Sequence, residues 1–372
     1  MRITLVGPAH PYKGGGARHT TELAHRLARR GHDVLIESWR AQYPALLYPG
    51  RQTIDVPEGE PFPNTRHELA WYRPDGWWRA GRAAGHRGPG ALTVLTVFSP
   101  VQVPAYLGVL AGVGRRTRTV ALCHNVVPHE PGPADATLMR ALLRRVDGVL
   151  THSPDQESLA RGLARGADTR VLMAEIPPHL PETGGPPPAH PAEARRHHLL
   201  FFGIVRPYKG VDVLLRALAR GAPPTVRLTV AGEFWGGSGD LRALAADLGI
   251  ADRVEFREGY VPAGELAELF AAADAVVLPY RSATATQNVW LAHAHGVPVV
   301  ATRAGTLPDH VRDGADGLLC APDDAADLAR ALAEFYAEGV AERLRGGVRP
   351  VDPEPYWDPY VDALTAPVRP IG

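Results

Sequence analysis

The sequence predicts an α/β protein of two domains, each built around a doubly wound parallel sheet. Three observations predict this fold class. The chain of 372 residues is too long for one ordinary hydrophobic core. Apolar, strand-like runs alternate with helical patterns nearly throughout, which is typical of parallel sheets covered on both faces. The alternation stops at a proline-rich stretch, residues 177–193, and then restarts.

The proline-rich stretch separates the two domains. Its seven prolines can neither continue a helix nor donate to a sheet, which indicates a linker. We therefore expect a first domain at residues 1–180, a linker at 181–195 and a second domain at 196–350. Residues 351–372 are expected to form a C-terminal helix.

Before the linker, apolar runs predict strands in the segments RITLV, GHDVLIES, LTVLTVF, RTVALC, GVLTHS and TRVLMAEI. Between the first two, Leu23 and Leu27 share a helical face and Gly31 marks the helix end. Residues 38–90 show no regular period, so loops and short helices are expected there. After the linker, strands are predicted in HLLFFGIV, TVRLTVAG, RVEFREG, DAVVLPY, VPVVATR and GLLC, and the last long helix in DDAADLARALAEFYAEG.

The charge balance and the cysteine count exclude several classes of protein. Lysine plus arginine number 40, as do aspartate plus glutamate, so nucleic acid is not expected as a partner. The two cysteines, Cys123 and Cys320, exclude a disulfide framework and a cysteine metal site. The first residues form a strand pattern rather than a signal peptide, and no apolar run approaches the ~20 residues of a membrane span. We expect a soluble, cytoplasmic protein.

A cationic turn in the second domain, within FFGIVRPYKGVDVLLRALAR (201–220), indicates an anion site. Arg206 and Lys209 lie between a buried strand and the following helix. The first N–H groups of that helix lack intrahelical partners and lie at the positive end of the helix dipole. This positive end disfavours a nearby cation unless an anion binds between them. Turn packing requires neither charge. The pattern therefore favours a diphosphate site over two chance surface cations.

Two stretches of the first domain also lie at predicted strand ends. GPAHPYKGGGARH, residues 7–19, lacks the G-x-G-x-x-G spacing of dinucleotide-binding proteins. Its consecutive glycines permit a ligand to approach the backbone, and they equally suit a flexible turn. ALCHNVVPHE, residues 121–130, places His124 at the end of a buried strand. Its polar neighbours Asn125, His129 and Glu130 favour function over a purely structural role. A metal site at His124 and His129 is disfavoured, because no third ligand has suitable spacing.

A hydroxyl-rich turn follows a predicted strand in PYRSATATQNVWLAHAHGVPVVATRAGTLPDHV, residues 279–311. Its polar residues either cap the next helix or present hydroxyl and N–H groups to a second part of the same ligand. These residues are Thr284, Thr286, Gln287 and Asn288.

Four stretches together resemble the retaining glycosyltransferases of the GT-B architecture, and specifically the large bacterial family 4. They are GPAHPYKGGGARHTTELAHRLARRGHDV, HNVVPHE, FFGIVRPYKGVDVLLRAL and GVPVVATRAGTLPDHVRDGADGLL, of which the third is the most specific. The resemblance implies two doubly wound, Rossmann-like domains facing a central cleft, the first on the acceptor side and the second binding a nucleotide-sugar. The tail EPYWDPYVDAL resembles the helix that crosses back to the first domain in this fold.

The resemblance also implies a reaction, the transfer of a sugar from a UDP-, GDP- or dTDP-sugar to a hydroxyl group with retention of configuration. Matched position by position, the catalytic residues would be His124, at the donor sugar, and Arg206 and Lys209, which would hold the diphosphate and neutralise the leaving group. The other donor-binding residues in the matching stretches would be Gly15, Gly16, Gly210, Glu233 and Tyr260. The hydroxyl-rich turn adds four candidate donor-binding residues on its own pattern: Thr284, Thr286, Gln287 and Asn288.

Two positions depart from the family pattern. Many members carry two glutamates, one touching the donor sugar and the other the ribose, where this chain has Ala283 and Leu291. The turn instead resembles a subgroup with a tyrosine and an Ala-Thr-Gln-Ser-Gly run, although the Ser-Gly pair falls on Thr286 and Gln287. A catalytically impaired relative that binds a nucleotide-sugar or a partner protein is therefore the alternative function.

The expected mechanism needs neither a metal ion nor a cofactor, because no acidic pair of the D-x-D kind lies in a suitable loop. Fixed cations and helix N–H groups would stabilise the departing diphosphate. In a front-face reaction the phosphate takes the acceptor's proton, so paired carboxylates are not needed. A nicotinamide-dependent dehydrogenase is disfavoured, because the glycine fingerprint and the acidic ribose ligand are absent.

The acceptor is expected to be a small molecule, a saccharide or a lipid-linked molecule that binds the first domain. An aromatic group there either stacks on a flat acceptor or packs its own loop: Trp39, Tyr43, Tyr48, Trp71, Tyr72, Trp77 and Trp78. Residues 101–118 and 138–146 combine apolar and basic side chains. They form either core helices with an arginine-bearing face, the commoner arrangement, or a peripheral contact with the inner face of the membrane.

Overall fold

A computed structural model describes most of the chain, namely residues 1–44, 51–55, 59–114, 117–180 and 197–366. The chain divides into two compact units, Met1–His179 with Pro353–Gly372, and Leu180–Asp352. The linker predicted at residues 181–195 lies outside the described residues.

In the described residues, the first unit forms a seven-stranded parallel sheet. Its strands are β1 (Arg2–Val6), β2 (Asp33–Ala41), β3 (Thr65–Ala70), β4 (Leu92–Val97), β5 (Arg118–Cys123), β6 (Gly148–Thr151) and β7 (Arg170–Met173). Their order is β3-β2-β1-β4-β5-β6-β7, and each described pairing is parallel. The central strands are apolar runs, and every residue of β4 is buried because helices cover both faces of the sheet.

The helices between these strands are α1 (Gly15–Arg29), α2 (Pro74–Gly85), α3 (Val103–Val113), α4 (Asp135–Leu143) and α5 (Pro154–Ala164). The apolar residues of α3 and α4, including Val103, Tyr106 and Leu142, pack into the core of this unit. Arg140 and Arg144 of the same region are exposed. No helix among the described residues is both long enough and apolar enough to cross a bilayer.

Residues 38–90 are more regular than the sequence predicts. The end of β2, the whole of β3 and the twelve-residue helix α2 lie there. The strand β3 is at the edge of the sheet, and Arg66 and Glu68 occupy its exposed positions. An edge strand with charged residues on one face has no apolar run, so the hydrophobic pattern did not reveal it.

The second unit forms a six-stranded parallel sheet in the described residues. Its strands are β8 (His198–Phe202), β9 (Arg227–Gly232), β10 (Val254–Glu258), β11 (Ala275–Leu278), β12 (Val299–Thr302) and β13 (Gly317–Cys320), and their order is β10-β9-β8-β11-β12-β13. Its helices are α6 (Val211–Gly221), α7 (Gly239–Asp247), α8 (Ala263–Ala272), α9 (Asn288–Ala294), α10 (Leu307–His310), α11 (Ala325–Phe335) and α12 (Val340–Gly347). Each of its strands lies within a segment that the sequence predicts.

The last helix, α13 (Glu354–Thr365), belongs to the first unit. Trp357, Tyr360 and Leu364 are buried in the same core as Leu23 of α1. Arg30, the residue after α1, forms ion pairs with two aspartates of α13. Because those ion pairs are largely exposed, the apolar contacts stabilise the position of α13 more than the charges do.

Each sheet has a point at which the strand order reverses. In a parallel sheet, all carboxyl ends of the strands lie at one edge. The order reverses between β1 and β4 in the first unit, and between β8 and β11 in the second. The loops leave these strands in opposite directions, and the crevice between them is the usual ligand position in open α/β sheets.

Candidate functional site

The predicted site residues of the second unit lie on loops that leave the carboxyl ends of its strands, or at the first position of the helix that follows. They are, from β8 to β11, Arg206, Lys209, Gly210, Glu233, Tyr260, Thr284, Thr286, Gln287 and Asn288. The sequence placed these residues at strand ends, and the sheet order brings those ends to one edge of the unit.

The turn after β8 depends on its glycine. Pro207–Lys209 forms one 3₁₀ turn, and Gly210 then adopts a left-handed conformation with φ 68° before α6 begins. A Cβ atom on Gly210 would lie 2.0 Å from the carbonyl oxygen of Pro279. Gly210 therefore permits the close approach of the loops that follow β8 and β11.

The two predicted cations of this turn lie against aromatic rings. The guanidinium carbon of Arg206 is 4.7 Å from the ring centre of Trp235, and Nζ of Lys209 is 3.6 Å from the ring centre of Tyr280. An aromatic face attracts a cation without cancelling its charge. Burial lowers the pKa of Lys209, and contact with Tyr208 acts in the opposite direction. The two aromatic rings thus fix the positions of both cations in the turn before the N-terminus of α6.

Tyr280 links the two loops beside the β8–β11 crevice. Its side chain is fully buried, and its hydroxyl accepts a hydrogen bond from Nδ2 of Asn288 at 3.0 Å. The same amide donates to the carbonyl oxygen of Phe202 at 2.7 Å, so Asn288 joins the end of β8 to the loop after β11. The sequence analysis singled out neither Tyr280 nor Trp235. Two signals pointed to Tyr280: its position at the end of a predicted strand, and the tyrosine that the resembling subgroup carries before its Ala-Thr-Gln-Ser-Gly run.

The hydroxyl-rich turn after β11 leads directly into α9. Oγ1 of Thr286 accepts the backbone N–H of Asn288, the first residue of α9, at 3.3 Å. The side chains of Thr284 and Thr286 are buried, and the hydroxyl of Thr306 donates to the carbonyl oxygen of Thr284 at 3.3 Å. This bond ties Thr286 to the start of α9, and its role towards a ligand stays a prediction.

The two positions that depart from the family pattern differ in their surroundings. Ala283 lies in the loop after β11, where its carbonyl oxygen would be 1.6 Å from a Cβ atom on Gly305. Leu291 lies in α9 and packs into the hydrophobic core of the second unit. A glutamate at position 291 would place a carboxylate among those apolar side chains, so leucine suits this packing.

Glu233 and Tyr260 follow the strands on the other side of β8. The backbone N–H of Val205 donates to the carbonyl oxygen of Glu233 at 2.8 Å, and the N–H of Trp235 donates to the carbonyl oxygen of Val205 at 3.2 Å. These bonds fix the segment of Glu233 and Trp235 beside the cationic turn. Tyr260 lies beyond the end of β10 and is half-buried.

In the first unit, His124 follows β5 and lies at the carboxyl edge. Its ring stacks on Phe98, which follows β4, with 4.2 Å between the ring centres and 17° between the planes. Its backbone N–H donates to the carbonyl oxygen of Val97 at 2.9 Å. Burial, and then the neighbouring His152 and His179, lower the pKa of His124 well below its usual value. The imidazole is therefore neutral at neutral pH.

Three further histidines surround His124, and the sequence analysis missed them. The ring centres of His19 and His152 each lie 4.9 Å from that of His124. Nδ1 of His19 shares a hydrogen bond with Nε2 of His179 at 2.8 Å, and Nε2 of His19 shares one with the hydroxyl of Tyr360 at 2.9 Å. Burial lowers the pKa of His152 to about 4 and that of His179 to about 3. Among the described residues, no group of three or more His, Cys, Asp or Glu side chains is arranged to hold a metal ion.

The two glycines predicted to lie against the donor differ in their surroundings. A Cβ atom on Gly16 would lie 2.5 Å from Cε1 of Phe98, whereas a Cβ atom on Gly15 would meet no atom within 4 Å. Gly16 therefore lets the first turn of α1 pack on Phe98. The open space at Gly15 leaves room for a ligand to approach the backbone.

We expect different effects of alanine at these two positions. Gly16→Ala forces Phe98 to shift and should lower the free energy of unfolding by about 2 kcal/mol. Gly15→Ala should leave it unchanged within about 0.5 kcal/mol. Urea unfolding of both variants measures the difference, and equal stabilities would contradict the packing of Phe98 on α1.

The aromatic group of the first unit does not form one surface. Trp39 is buried in the core, and Trp77 packs half-buried against the same core. Trp71, Tyr72 and Trp78 are exposed. Tyr43 is half-buried, and position 48, which was predicted with them, lies outside the described residues.

Comparison with known proteins places both units in one family. Residues 13–172 match the profile of Glycosyltransferase Family 4, and residues 196–338 match that of Glycosyl transferases group 1. The D-inositol 3-phosphate glycosyltransferase of Acidothermus cellulolyticus is 31% identical over 394 residues, which cover 96% of this chain and 85% of that protein.

The chain belongs to the group 1 glycosyltransferases of family 4.

A second relative agrees with this assignment, and two solved structures share the fold. The D-inositol 3-phosphate glycosyltransferase of Stackebrandtia nassauensis is 42% identical over 161 residues, which cover 40% of this chain and 35% of that protein. HepE from Anabaena, solved with UDP and glucose, has a TM-score of 0.71 at 16% identity and covers 98% of this chain and 100% of HepE. Sucrose-phosphate synthase from Thermosynechococcus elongatus has a TM-score of 0.69 at 20% identity, covering 98% and 97% of the two chains. The structural matches confirm that this glycosyltransferase has the predicted GT-B fold of two Rossmann-like units.

Proposed function

We propose that this glycosyltransferase moves a sugar from a nucleoside-diphosphate sugar to a hydroxyl group, with retention of the anomeric configuration and without a metal ion. One observation carries the proposal: Arg206 and Lys209 are held against aromatic rings at the head of α6, beside the β8–β11 crevice. The second unit would bind the donor, and the first would bind the acceptor.

The cations match the charge that develops in such a reaction. As the bond between the anomeric carbon and the phosphate oxygen breaks, negative charge accumulates on the diphosphate. Fixed cations and the unpaired N–H groups at the start of a helix stabilise this charge without rearranging during the reaction. In a front-face reaction, the acceptor oxygen bonds to the anomeric carbon and its proton passes to the departing phosphate. Such a reaction needs no separate carboxylate base.

His124 would contact the donor sugar. Its neutral ring can form hydrogen bonds but supplies no charge, because burial keeps its pKa low. In the described part of the chain, Nε2 of His124 has no hydrogen-bonding partner, which leaves this nitrogen for a sugar hydroxyl. Gly15, which faces open space, would let the donor approach the first turn of α1.

The comparisons suggest the first substrates to test. HepE was solved with UDP and glucose, and the relative from Acidothermus is named for D-inositol 3-phosphate. UDP-glucose is therefore the first donor to test, followed by GDP- and dTDP-sugars. D-inositol 3-phosphate is the first acceptor.

A second candidate function is nucleotide-sugar binding without catalysis. It is favoured by Ala283 and Leu291, which replace the two glutamates that many family members carry. Three retained residues argue against this candidate. Arg206 and Lys209 keep the positive charges, and His124 keeps the neutral imidazole, that sugar transfer would use.

Thermal-shift measurements with UDP, GDP, dTDP and their sugars, followed by a transfer assay, test both candidates. The proposal expects stabilisation by one nucleotide, transfer that persists in EDTA, and a retained anomeric configuration by NMR. Stabilisation without transfer or donor hydrolysis would favour the second candidate. No stabilisation by any of these compounds would contradict the proposal.

A further inference from the structure

Arg281 holds the backbone of the cationic turn. Its Nη1 donates to the carbonyl oxygen of Pro207 at 2.6 Å, and its backbone N–H donates to that of Tyr208 at 2.8 Å. Arg281 lies in the loop after β11, on the other side of the crevice from β8. One residue therefore fixes two consecutive carbonyl groups between Arg206 and Lys209.

The same guanidinium pairs with two carboxylates. It contacts both oxygens of Asp212, in the first turn of α6, with N–O distances of 2.8 Å. Its Nε donates to Asp323 at 2.8 Å. Bidentate pairs of this kind are strong and geometrically specific. Most N–H donors of Arg281 are thus used within the protein, so the side chain is not disposed to bind a ligand directly.

Asp212 is a carboxylate beside the proposed anion site. Burial alone would raise the pKa of Asp212, but the hydrogen bonds and the charge of Arg281 outweigh burial and lower it. Without Arg281, this negative charge would repel a diphosphate at the head of α6.

We propose that Arg281 is a positioning residue for diphosphate binding. It fixes the turn that carries Arg206 and Lys209, and it cancels the charge of Asp212 next to the bound anion. This inference rests on the proposed function of the turn. The two roles are separable, because one depends on hydrogen bonds to carbonyl groups and the other on charge.

Isothermal titration with a nucleoside diphosphate tests the positioning role. The probe is UDP, GDP or dTDP, whichever binds the wild-type protein most tightly. Arg281→Gln should weaken binding about 10-fold while leaving the circular dichroism spectrum unchanged. Arg281→Lys keeps the positive charge beside Asp212 but cannot reproduce the bidentate contact, so it should bind less tightly than the wild type and about threefold more tightly than Arg281→Gln. Arg330→Gln, which removes an exposed ion-paired arginine from α11 of the same unit, is the matched control and should bind as the wild type does.

A double-mutant cycle separates charge from structure. Asp212→Asn, added to Arg281→Gln, removes the uncompensated carboxylate and should restore about threefold of the lost affinity. A purely structural role predicts no recovery, since the second change removes nothing but a hydrogen-bonding partner that has already lost its arginine. Absence of recovery would overturn the electrostatic part of the proposal.

The outcomes distinguish this inference from the proposed function. If Lys209→Met weakens nucleotide binding and Arg281→Gln does not, the role of Arg281 is wrong and the phosphate site stands. If neither variant weakens binding, or the wild type binds none of the three nucleotides, the proposed function itself fails.

Discussion

Lys209→Met is expected to lower the affinity for nucleoside diphosphates by about 100-fold, which corresponds to about 2.7 kcal/mol. Methionine keeps an unbranched apolar side chain that can pack on Tyr280, so the fold should be retained. It removes the ammonium group, and with it the charge-assisted hydrogen bonds to the diphosphate. The loss should therefore appear in nucleotide binding and in transfer, while the unfolding curve changes little.

Isothermal titration measures this loss, with Arg330→Met as a control that removes one exposed cation of the second unit. Lys209→Arg should bind more tightly than Lys209→Met, because it keeps a positive charge. An affinity of Lys209→Met within about threefold of the wild type would contradict the phosphate role of this lysine.

The chain offers a second test of the same prediction, since Lys13 and Lys209 are its only lysines. Acetylation of both can be followed peptide by peptide with mass spectrometry. A bound nucleoside diphosphate should protect Lys209. The α-amino group of Met1 serves as the internal control, because it precedes β1 and lies at the amino end of the sheet. Equal labelling of Lys209 with and without nucleotide would place the diphosphate elsewhere.

The histidine cluster of the first unit should make the protein acid-labile. His152 and His179 are buried, and burial lowers their pKa values to about 4 and about 3 in the folded state. In the unfolded chain their pKa values lie near the ordinary histidine value of 6.5. A histidine with a lowered folded pKa contributes stability above the unfolded value and loses that contribution as the pH falls towards the folded value. For His152 alone this corresponds to about 3 kcal/mol.

Urea unfolding between pH 7.5 and about pH 4.5 measures this effect. The wild type should lose several kcal/mol over this range, because His19 and His124 have lowered pKa values as well. Glu37 acts in the opposite direction, since burial raises its pKa to about 7 and its protonation favours the folded state. A histidine variant keeps Glu37, so comparing that variant with the wild type cancels the contribution of Glu37.

His179→Gln provides the comparison, because glutamine can still hydrogen-bond His19 but does not titrate. Its stability should depend less steeply on pH than that of the wild type. His86→Gln changes an exposed histidine of the same unit and should leave the steepness unchanged. Equal steepness in the wild type and His179→Gln would show that the cluster does not control acid unfolding.

The sequence predicted most of the architecture because buried parallel strands have a local signature. Apolar runs such as LTVLTV in β4 and AVVL in β11 are buried on both faces, and each was visible from its own residues. The strand β3 was missed for the complementary reason. A strand at the edge of the sheet needs no continuous apolar run. The charged residues Arg66 and Glu68 interrupt the apolar pattern of β3, so the pattern did not predict a strand there.

The candidate site shows the same division. Arg206 and Lys209 were found because two cations in a short turn before a helix are unusual within their own segment. Trp235 and Arg281, which hold that turn, come from other loops, and nothing in the local pattern of either residue marks it. Only the order of the strands places their loops beside β8.

The sequence by itself determined the alternation of strands and helices, the family and the cationic turn, because residues close together in the chain define each of them. The tertiary structure alone decided which side chains hold that turn and which histidines surround His124. His19, His152 and His179 lie on a helix and after two strands, and parallel pairing brings them to one edge. The physical reason is that contacts across a sheet edge join residues distant in the chain, and a pattern read along the chain carries no signal for them.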